Sequence, residues 1–291
     1  MGALCVTGIV ASALAGCAKP PKQTDLISQP IPTVETTASV SAYLPADIRL
    51  EQAMPPRIFA ASNIAGRVLT VAATTDIILN PGEVIITFDD GPRPGKTPAI
   101  LDTLDQFGVK ATFLMLGASA QAHPEIARMV AKRGHSVGSH TFEHVDLTTL
   151  SRQAAYAEIT RGEQAVSDAL RGAGNGLAPF FRFPYLAQDG FLRTDLMGGD
   201  MVVLDVDIDS KDYYKDTPAV VAQRTLDRLD ARGSGVILFH DIHQRTVDML
   251  PEFLSELAAR GYSVVHLEPS KPGVFGRPVI TADRETNANQ I

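Results

Sequence analysis

Val84-Ile85-Ile86-Thr87-Phe88-Asp89-Asp90-Gly91-Pro92 is the stretch on which the fold turns. Its apolar run reads as a buried strand that breaks on a Gly-Pro turn, directly after two adjacent carboxylates. Strand ends are where open α/β sheets and barrels gather their reactive groups. One carboxylate can bind a cation while the other handles a proton, so the pair suits metal-assisted hydrolysis. Asp-Asp-Gly-Pro is also good turn chemistry, with carboxylates capping backbone amides ahead of glycine and proline. The pair alone leaves both readings open.

Working outward, strand-like runs alternate with amphipathic stretches at 97–107, 123–133, 151–169, 217–231 and 247–260. Pro98, Pro124 and Pro218 sit near three of their starts, while Gly108, Gly134, Gly233 and Gly261 fall just past the ends of four, the punctuation of helix termini. Strand-helix-strand repetition predicts an α/β domain with a mainly parallel sheet, and composition does not choose between a doubly wound and a closed form. Arg67 to Ala72 and Ile77 to Leu79 read as two further strands, joined to the core by the Asn80-Pro81-Gly82 turn.

Four more segments carry chemistry. His140-Thr141-Phe142-Glu143-His144 sets two imidazoles four residues apart, able to grip one metal from a tight loop. Arg182-Phe183-Pro184-Tyr185 places a rigid fork of donors beside a proline. Asp209-Ser210-Lys211-Asp212-Tyr213 follows, and then Gly235-Val236-Ile237-Leu238-Phe239-His240-Asp241, a second apolar run that ends on titratable side chains. In order and content the five segments resemble the polysaccharide deacetylase family, the NodB-homology domain or carbohydrate esterase family 4. The resemblance covers roughly two thirds of the chain.

That resemblance implies a distorted, incomplete (β/α) barrel of about seven parallel strands. It implies a catalytic base at Asp89, a metal triad of Asp90, His140 and His144, and a general acid at His240. Arg182 would hold the base and Asp212 would tune the acid. Tyr185 would offer its backbone N–H to the oxyanion, Leu238 and Tyr213 would line the pocket for the acetyl methyl, and Pro92 would lie at the substrate. One divalent ion is expected, zinc first, with cobalt, nickel or manganese as substitutes. The expected reaction removes N-acetyl groups from amino sugars of a polysaccharide such as peptidoglycan, a chitin-like oligomer or an exopolysaccharide. An O-acetyl esterase of acetyl-xylan type and a non-catalytic wall-glycan-binding module are the alternatives. Tyr213 departs from the family, which commonly has tryptophan there; this chain has none.

Rival readings use the same letters. His140-x-x-Glu143-His144 matches the signature of inverzincin proteases, which requires a helix, but the preceding Gly134-His135-Ser136-Val137-Gly138-Ser139 looks like a strand entering a loop. Asp205-Val206-Asp207-Ile208-Asp209 mimics a calcium loop or a glycosidase strand; alternation from Val203 to Ile208 predicts a strand with its carboxylates on one face. His123, His135, His243 and His266 read as solvated or core histidines, although His243 lies close enough to His240 to touch substrate.

The chain has 291 residues, 45% of them hydrophobic, enough for one large core, and its net charge of −7 with no basic stripe argues against nucleic acid as a partner. Ala3 to Ala15 is an apolar stretch of signal-peptide length ending in Leu14-Ala15-Gly16-Cys17, which resembles a bacterial lipobox. Residues 1–17 are therefore expected to be a lipoprotein-type signal peptide, with Cys17 lipidated and the enzyme anchored to a membrane in an extracytoplasmic compartment, periplasmic or at the cell surface. Met1 to Thr7 lacks the basic residues of such leaders, which suggests a start upstream. Cys5 and Cys17 are the only cysteines, so the catalytic domain has no disulfide. Residues 18–46 read as a disordered tether, 47–81 as a lead-in, 82–267 as the catalytic domain and 268–291 as a polar tail.

Overall fold

The computed structural model describes residues 64–270; the leader, Cys17, the tether, the start of the lead-in and most of the tail lie outside the described residues. In chain order the regular elements are β1 (Ala65–Val71), β2 (Glu83–Asp89), α1 (Thr97–Gln106), β3 (Thr112–Met115), α2 (Gly117–Ala122), α3 (Pro124–Lys132), β4 (Ser136–Ser139), α4 (Arg152–Ala169) and β5 (Phe180–Phe181). They continue with α5 (Gly190–Gly198), β6 (Val202–Val203), β7 (Ile208–Asp209), α6 (Pro218–Arg232), β8 (Gly235–His240), α7 (Gln244–Ala259) and β9 (Ser263–Pro269).

Every strand pairing is parallel. Seven strands run β7-β8-β2-β3-β4-β5-β6, and no ladder joins β6 back to β7 among the described residues, which gives the distorted, incomplete barrel that the family resemblance implies. β9 joins the foot of β2 through Glu83 and Val84, and β1 lies outside β9.

Two-residue periodicity sorts the side chains of each strand. Val84, Ile86 and Phe88 of β2 pack outward into the core shared with the helices, whereas Ile85 joins an inner cluster with Leu114, Phe180, Val236, Val265 and Leu267. That cluster forms an apolar floor beneath the upper side chains of the barrel. Gly138 of β4 has no room for a side chain there, since a Cβ would lie 2.3 Å from the Phe180 carbonyl oxygen. Phe181, one residue on, faces the opposite way, into a third cluster with Ile159, Leu192 and Leu196.

The helices follow their local signals. Pro98, Pro124 and Pro218 occupy the first turns of α1, α3 and α6, and Ser151 and Thr217 cap α4 and α6 by accepting from Ala154 N and Val220 N. The four glycines expected past helix ends all take positive φ. Two short helices are harder to read: α2 lacks apolar periodicity, and α5 begins and ends on glycine although Asp189 caps it by accepting from Phe191 N.

Three expectations need correction. Ile77 to Leu79 is not a strand; the Ile78 carbonyl accepts instead from Arg67 Nη2 at 2.7 Å. Val203 to Ile208 is not one strand either, because the chain crosses the open seam there: Leu204 N bonds Phe181 O on one side and Asp207 N bonds Val236 O on the other. The carboxylates in between serve separate partners, Asp205 pairing with Arg193, Asp207 with Arg232 and the Val236 amide, and Asp209 with Tyr213. Lastly, β9 runs two residues past the expected domain end, to Pro269.

Candidate active site

Parallel strands deliver their C-terminal ends to one rim. Asp89 ends β2, His140 follows β4, Arg182 follows β5, Asp209 ends β7 and His240 ends β8. They surround a cavity of about 350 Å³, lined by Asp89, Asp90, His140, His144, Tyr185, Tyr213, Leu238 and His240 together with Phe183, Leu186, Asp209 and His243.

Ligand-type atoms of Asp90, His140 and His144 lie within 4.8 Å of one another. Asp90 Oδ1 is 3.6 Å from His140 Nε2 and 3.5 Å from His144 Nε2. His140 Nδ1 lies 2.8 Å from the Arg182 carbonyl, which can only accept, so Nδ1 carries the proton and Nε2 turns a lone pair to the cluster. Burial, and after it the neighbouring His140, pulls His144 below its ordinary pKa, towards the neutral form that binds metals. Asp90 Oδ1 is buried without a hydrogen-bond partner. A buried orphan oxygen facing two imidazole nitrogens fits a divalent cation, and the mixed nitrogen and oxygen donor set suits zinc-like ions.

Arg182 and Asp212 stand behind the cavity. Arg182 is fully buried and donates from Nη1 to Asp89 Oδ1 at 2.7 Å and to Thr87 Oγ1 at 2.9 Å, while its Nε bonds the Leu204 carbonyl at 3.0 Å. It thereby ties β2 to the open seam through a side chain where the backbone ladder is missing. Asp212, also fully buried, accepts from His240 Nδ1, the His240 backbone amide and Thr246 Oγ1, each at 2.7 Å. Burial opposes a charge on His240, but the Asp212 hydrogen bond and charge outweigh it and raise the imidazole to about 9. The same bonds outweigh burial at Asp212 and hold it below the usual carboxylate range.

Aromatic rings wall the cavity. Tyr185 meets His144 edge-on at 4.4 Å, and Tyr213 meets His240 edge-on at 5.6 Å. The Tyr213 hydroxyl donates to Asp209 Oδ2 at 2.9 Å; burial and this carboxylate push the phenol up to about 12. Pro92, by contrast, is buried outside the cavity lining.

The His-x-x-Glu-His segment is a loop, which removes the inverzincin reading. Of the four histidines read as bland, His243 does line the cavity, 5.9 Å from His240, and His135 is a core residue accepting from Ala111 N. Sequence reasoning missed Asp209 and Leu186 as lining residues, and Asp241 as a support. Asp241 is buried, accepts from Thr97 Oγ1 at 2.5 Å and is pushed up to about 7 by burial. A Cβ on Gly91 would fall 2.0 Å from its carboxylate, so the turn after Asp90 admits only glycine. The available signal for Asp241 was its place at the end of an apolar run, beside His240.

Residues 78–196 match the family model described as Polysaccharide deacetylase. A chitin deacetylase of Colletotrichum lindemuthianum is 34% identical over 218 residues, which cover 70% of this chain and 86% of that protein. The chain belongs to the polysaccharide deacetylase family. A peptidoglycan-N-acetylglucosamine deacetylase, PgdA, of Listeria monocytogenes is 31% identical over 64% of this chain, but this chain spans only 38% of that protein. Among solved structures, the Bdellovibrio bacteriovorus peptidoglycan deacetylase Bd3279 superposes with a TM-score of 0.64 at 34% identity, covering 76% of this chain and 60% of that one. Family membership accounts for the open barrel and for the order in which the five segments reach the rim.

Proposed function

We propose that this chain is a metal-dependent N-deacetylase that removes acetyl groups from N-acetylated amino sugars of a polysaccharide, with chitin-like or peptidoglycan glycan as substrate. The observation that carries the reading is the placement of two unlike polar pairs on the cavity wall. Asp89 faces the cavity with Arg182 behind it, and His240 faces it with Asp212 behind. An acceptor and a protonated donor thus flank the Asp90, His140 and His144 cluster, as amide hydrolysis requires.

Asp90, His140 and His144 would hold the divalent ion, zinc by preference. Bound there, it would supply Lewis-acid charge at the acetamide carbonyl and at the attacking water. Asp89 takes the proton from that water, and Arg182 keeps its carboxylate aimed at the cavity. His240 gives its proton to the departing nitrogen, the step an amide needs most, and Asp212 keeps that proton in place. The Tyr185 backbone N–H serves the developing oxyanion. Leu238 and Tyr213 form the acetyl-methyl wall, with the Tyr213 ring braced by Asp209 in place of the family's usual indole. The relatives are named for peptidoglycan and for chitin, which supports work outside the cytoplasm. A lipid on Cys17 would then anchor the enzyme; among the described residues no helix is long and apolar enough to cross a membrane.

Acetate release from N-acetylglucosamine oligomers and from peptidoglycan tests this directly. His240→Ala should lose about 10²–10⁴-fold on the amide and much less on an aryl acetate, whose leaving group needs no protonation. Equal losses on both would remove the acid role, and no release from any N-acetylated glycan by the zinc-loaded protein would remove the amide reading.

A further inference from the structure

The loop from Thr141 to His144 lies outside helices and strands, yet it holds two residues in the left-handed region, Thr141 at φ +70° and His144 at φ +59°. A β-branched threonine rarely sits there, so something outside the loop holds it. Its backbone groups have identifiable partners. The Thr141 and Phe142 carbonyls accept from Gly117 N (2.8 Å) and Ala118 N (3.1 Å) at the start of α2. The Phe142 and Glu143 amides both donate to Glu158 Oε1 on α4, at 3.0 and 2.6 Å, and the His144 amide donates to Thr141 Oγ1 at 3.2 Å.

Two more residues of α4 meet the same loop. The Arg161 guanidinium lies 3.5 Å from the centre of the Phe142 ring. At Gly162 a Cβ would stand 2.4 Å from the Thr141 carbonyl carbon, so the helix presses its backbone on the loop where only glycine fits. Glu158, Arg161 and Gly162 are spaced i, i+3, i+4 and therefore share one helix face.

We propose that this face of α4 is a positioning scaffold for the metal ligands, with Glu158 as its key member. The proposal rests on the reading of Asp90, His140 and His144 as ligands. His140 is fixed by its place after β4 and by the Arg182 carbonyl, whereas the loop carries His144 to Asp90. A carboxylate that accepts two consecutive amides makes charge-assisted bonds, stronger than neutral ones, and converts an otherwise strained loop into a fixed distance between the two imidazoles. The exposed Arg161–Glu143 ion pair adds little; the contribution of Arg161 is its packing on Phe142.

Zinc titration into the metal-stripped full chain, by calorimetry or chelator competition, reads this without recourse to activity. Glu158→Ala should weaken zinc binding about 10-fold or more, the range for residues that support ligands, and shrink the rise in Tm on adding zinc. Glu158→Gln, whose amide oxygen can accept the same two N–H groups, should stay within about threefold of wild type, as a neutral acceptor in the same place would. Wild-type zinc affinity in Glu158→Ala, with only the metal-free Tm lowered, would overturn the proposal and leave Glu158 a purely structural role. If that variant does not fold, Glu158→Asp, which keeps the charge and shortens the reach, is judged by the same criterion. His144→Ala separates the two layers: undiminished zinc affinity there refutes the ligand reading itself, whereas weakened affinity there beside normal affinity in Glu158→Ala refutes only the scaffold.

Discussion

The rim and the floor of this barrel share β2, β5 and β8 but are built under opposite rules. Ile85, Leu114, Phe180, Val236, Val265 and Leu267 fill the floor with apolar side chains, all nearly or fully buried. At the C-terminal ends of the barrel strands, the rim collects charge and strain. Six of the seven left-handed non-glycine residues among the described residues sit in its loops: Asp90, Thr141, His144, Tyr185, Leu186 and Lys211. Buried orphan atoms gather near it as well, on Asp90, Ser139, Arg182 and Asp241. Each such residue costs on the order of 1–3 kcal/mol, which the floor and the helix-facing core offset. The contrast teaches that stability and chemistry are segregated along each strand, so substitutions at the two levels should fail in different ways.

The sharpest way to break the contrast is at the rim. Asp90→Ala should abolish zinc binding and lower acetate release at least about 10³-fold, while Tm of the metal-free protein holds or rises because a buried, unpartnered carboxylate oxygen is gone. Metal content and a thermal melt on one preparation check both halves. A large fall in Tm without metal would show that the rim also carries the fold.

At the floor the expectation reverses. Ile85→Ala, four residues before Asp89 on β2, should cost about 2–5 kcal/mol of unfolding free energy, seen in denaturant titration, with near-normal turnover per folded molecule at low temperature. Loss of turnover without loss of stability would mean that the floor shapes the cavity directly.

The His240–Asp212 pair sharpens the comparison through pH. Since the folded-state pKa of His240 is raised to about 9, the pair's contribution to stability is complete below the unfolded histidine value and is lost as pH rises through about 9. An acid role places the alkaline limb of kcat/KM for the zinc-loaded enzyme near the same pH, and Asp212→Asn should move that limb to lower pH. A limb unchanged by Asp212→Asn would assign it to another group.

The smallest expected effect is at Tyr213. Removing its hydroxyl in Tyr213→Phe frees the ring from Asp209 and should raise KM about two- to fivefold with little change in kcat, the size of one exposed hydrogen bond. Tyr213→Trp tests whether the phenol and its carboxylate stand in for an indole: unchanged kinetics would show the two interchangeable, and a changed KM would show that they are not.

Much of the fold is legible in the chain because the relevant signals are local. Prolines and glycines at helix ends act within one turn, and the outward and inward residues of β2 alternate regardless of what lies beside them. Legibility fails where a segment's state depends on a distant partner. Ile77 to Leu79 has strand-like composition, but Arg67 takes the Ile78 carbonyl. Val203 to Ile208 alternates well, yet its two ends pair with different sides of an open seam. The short helix α2 has too little periodicity to be read, although its first amides hold the loop from Thr141 to His144.

By itself, then, the sequence determined the parallel α/β class, the ends of most long helices, and most of the residues that reach the rim, because each is written in periodicity, turn chemistry and an ordered set of short motifs. Tertiary structure alone decided which of those residues became partners. Asp89 meets an arginine 93 positions away, and His240 meets a carboxylate 28 positions earlier. His144 reaches Asp90 from a loop whose amides are held by a helix that begins after it. Pairings of that kind depend on how the strands are ordered around the barrel and where the seam is left open. No short window of the chain encodes either, since both follow from packing the whole set of helices against one inner floor.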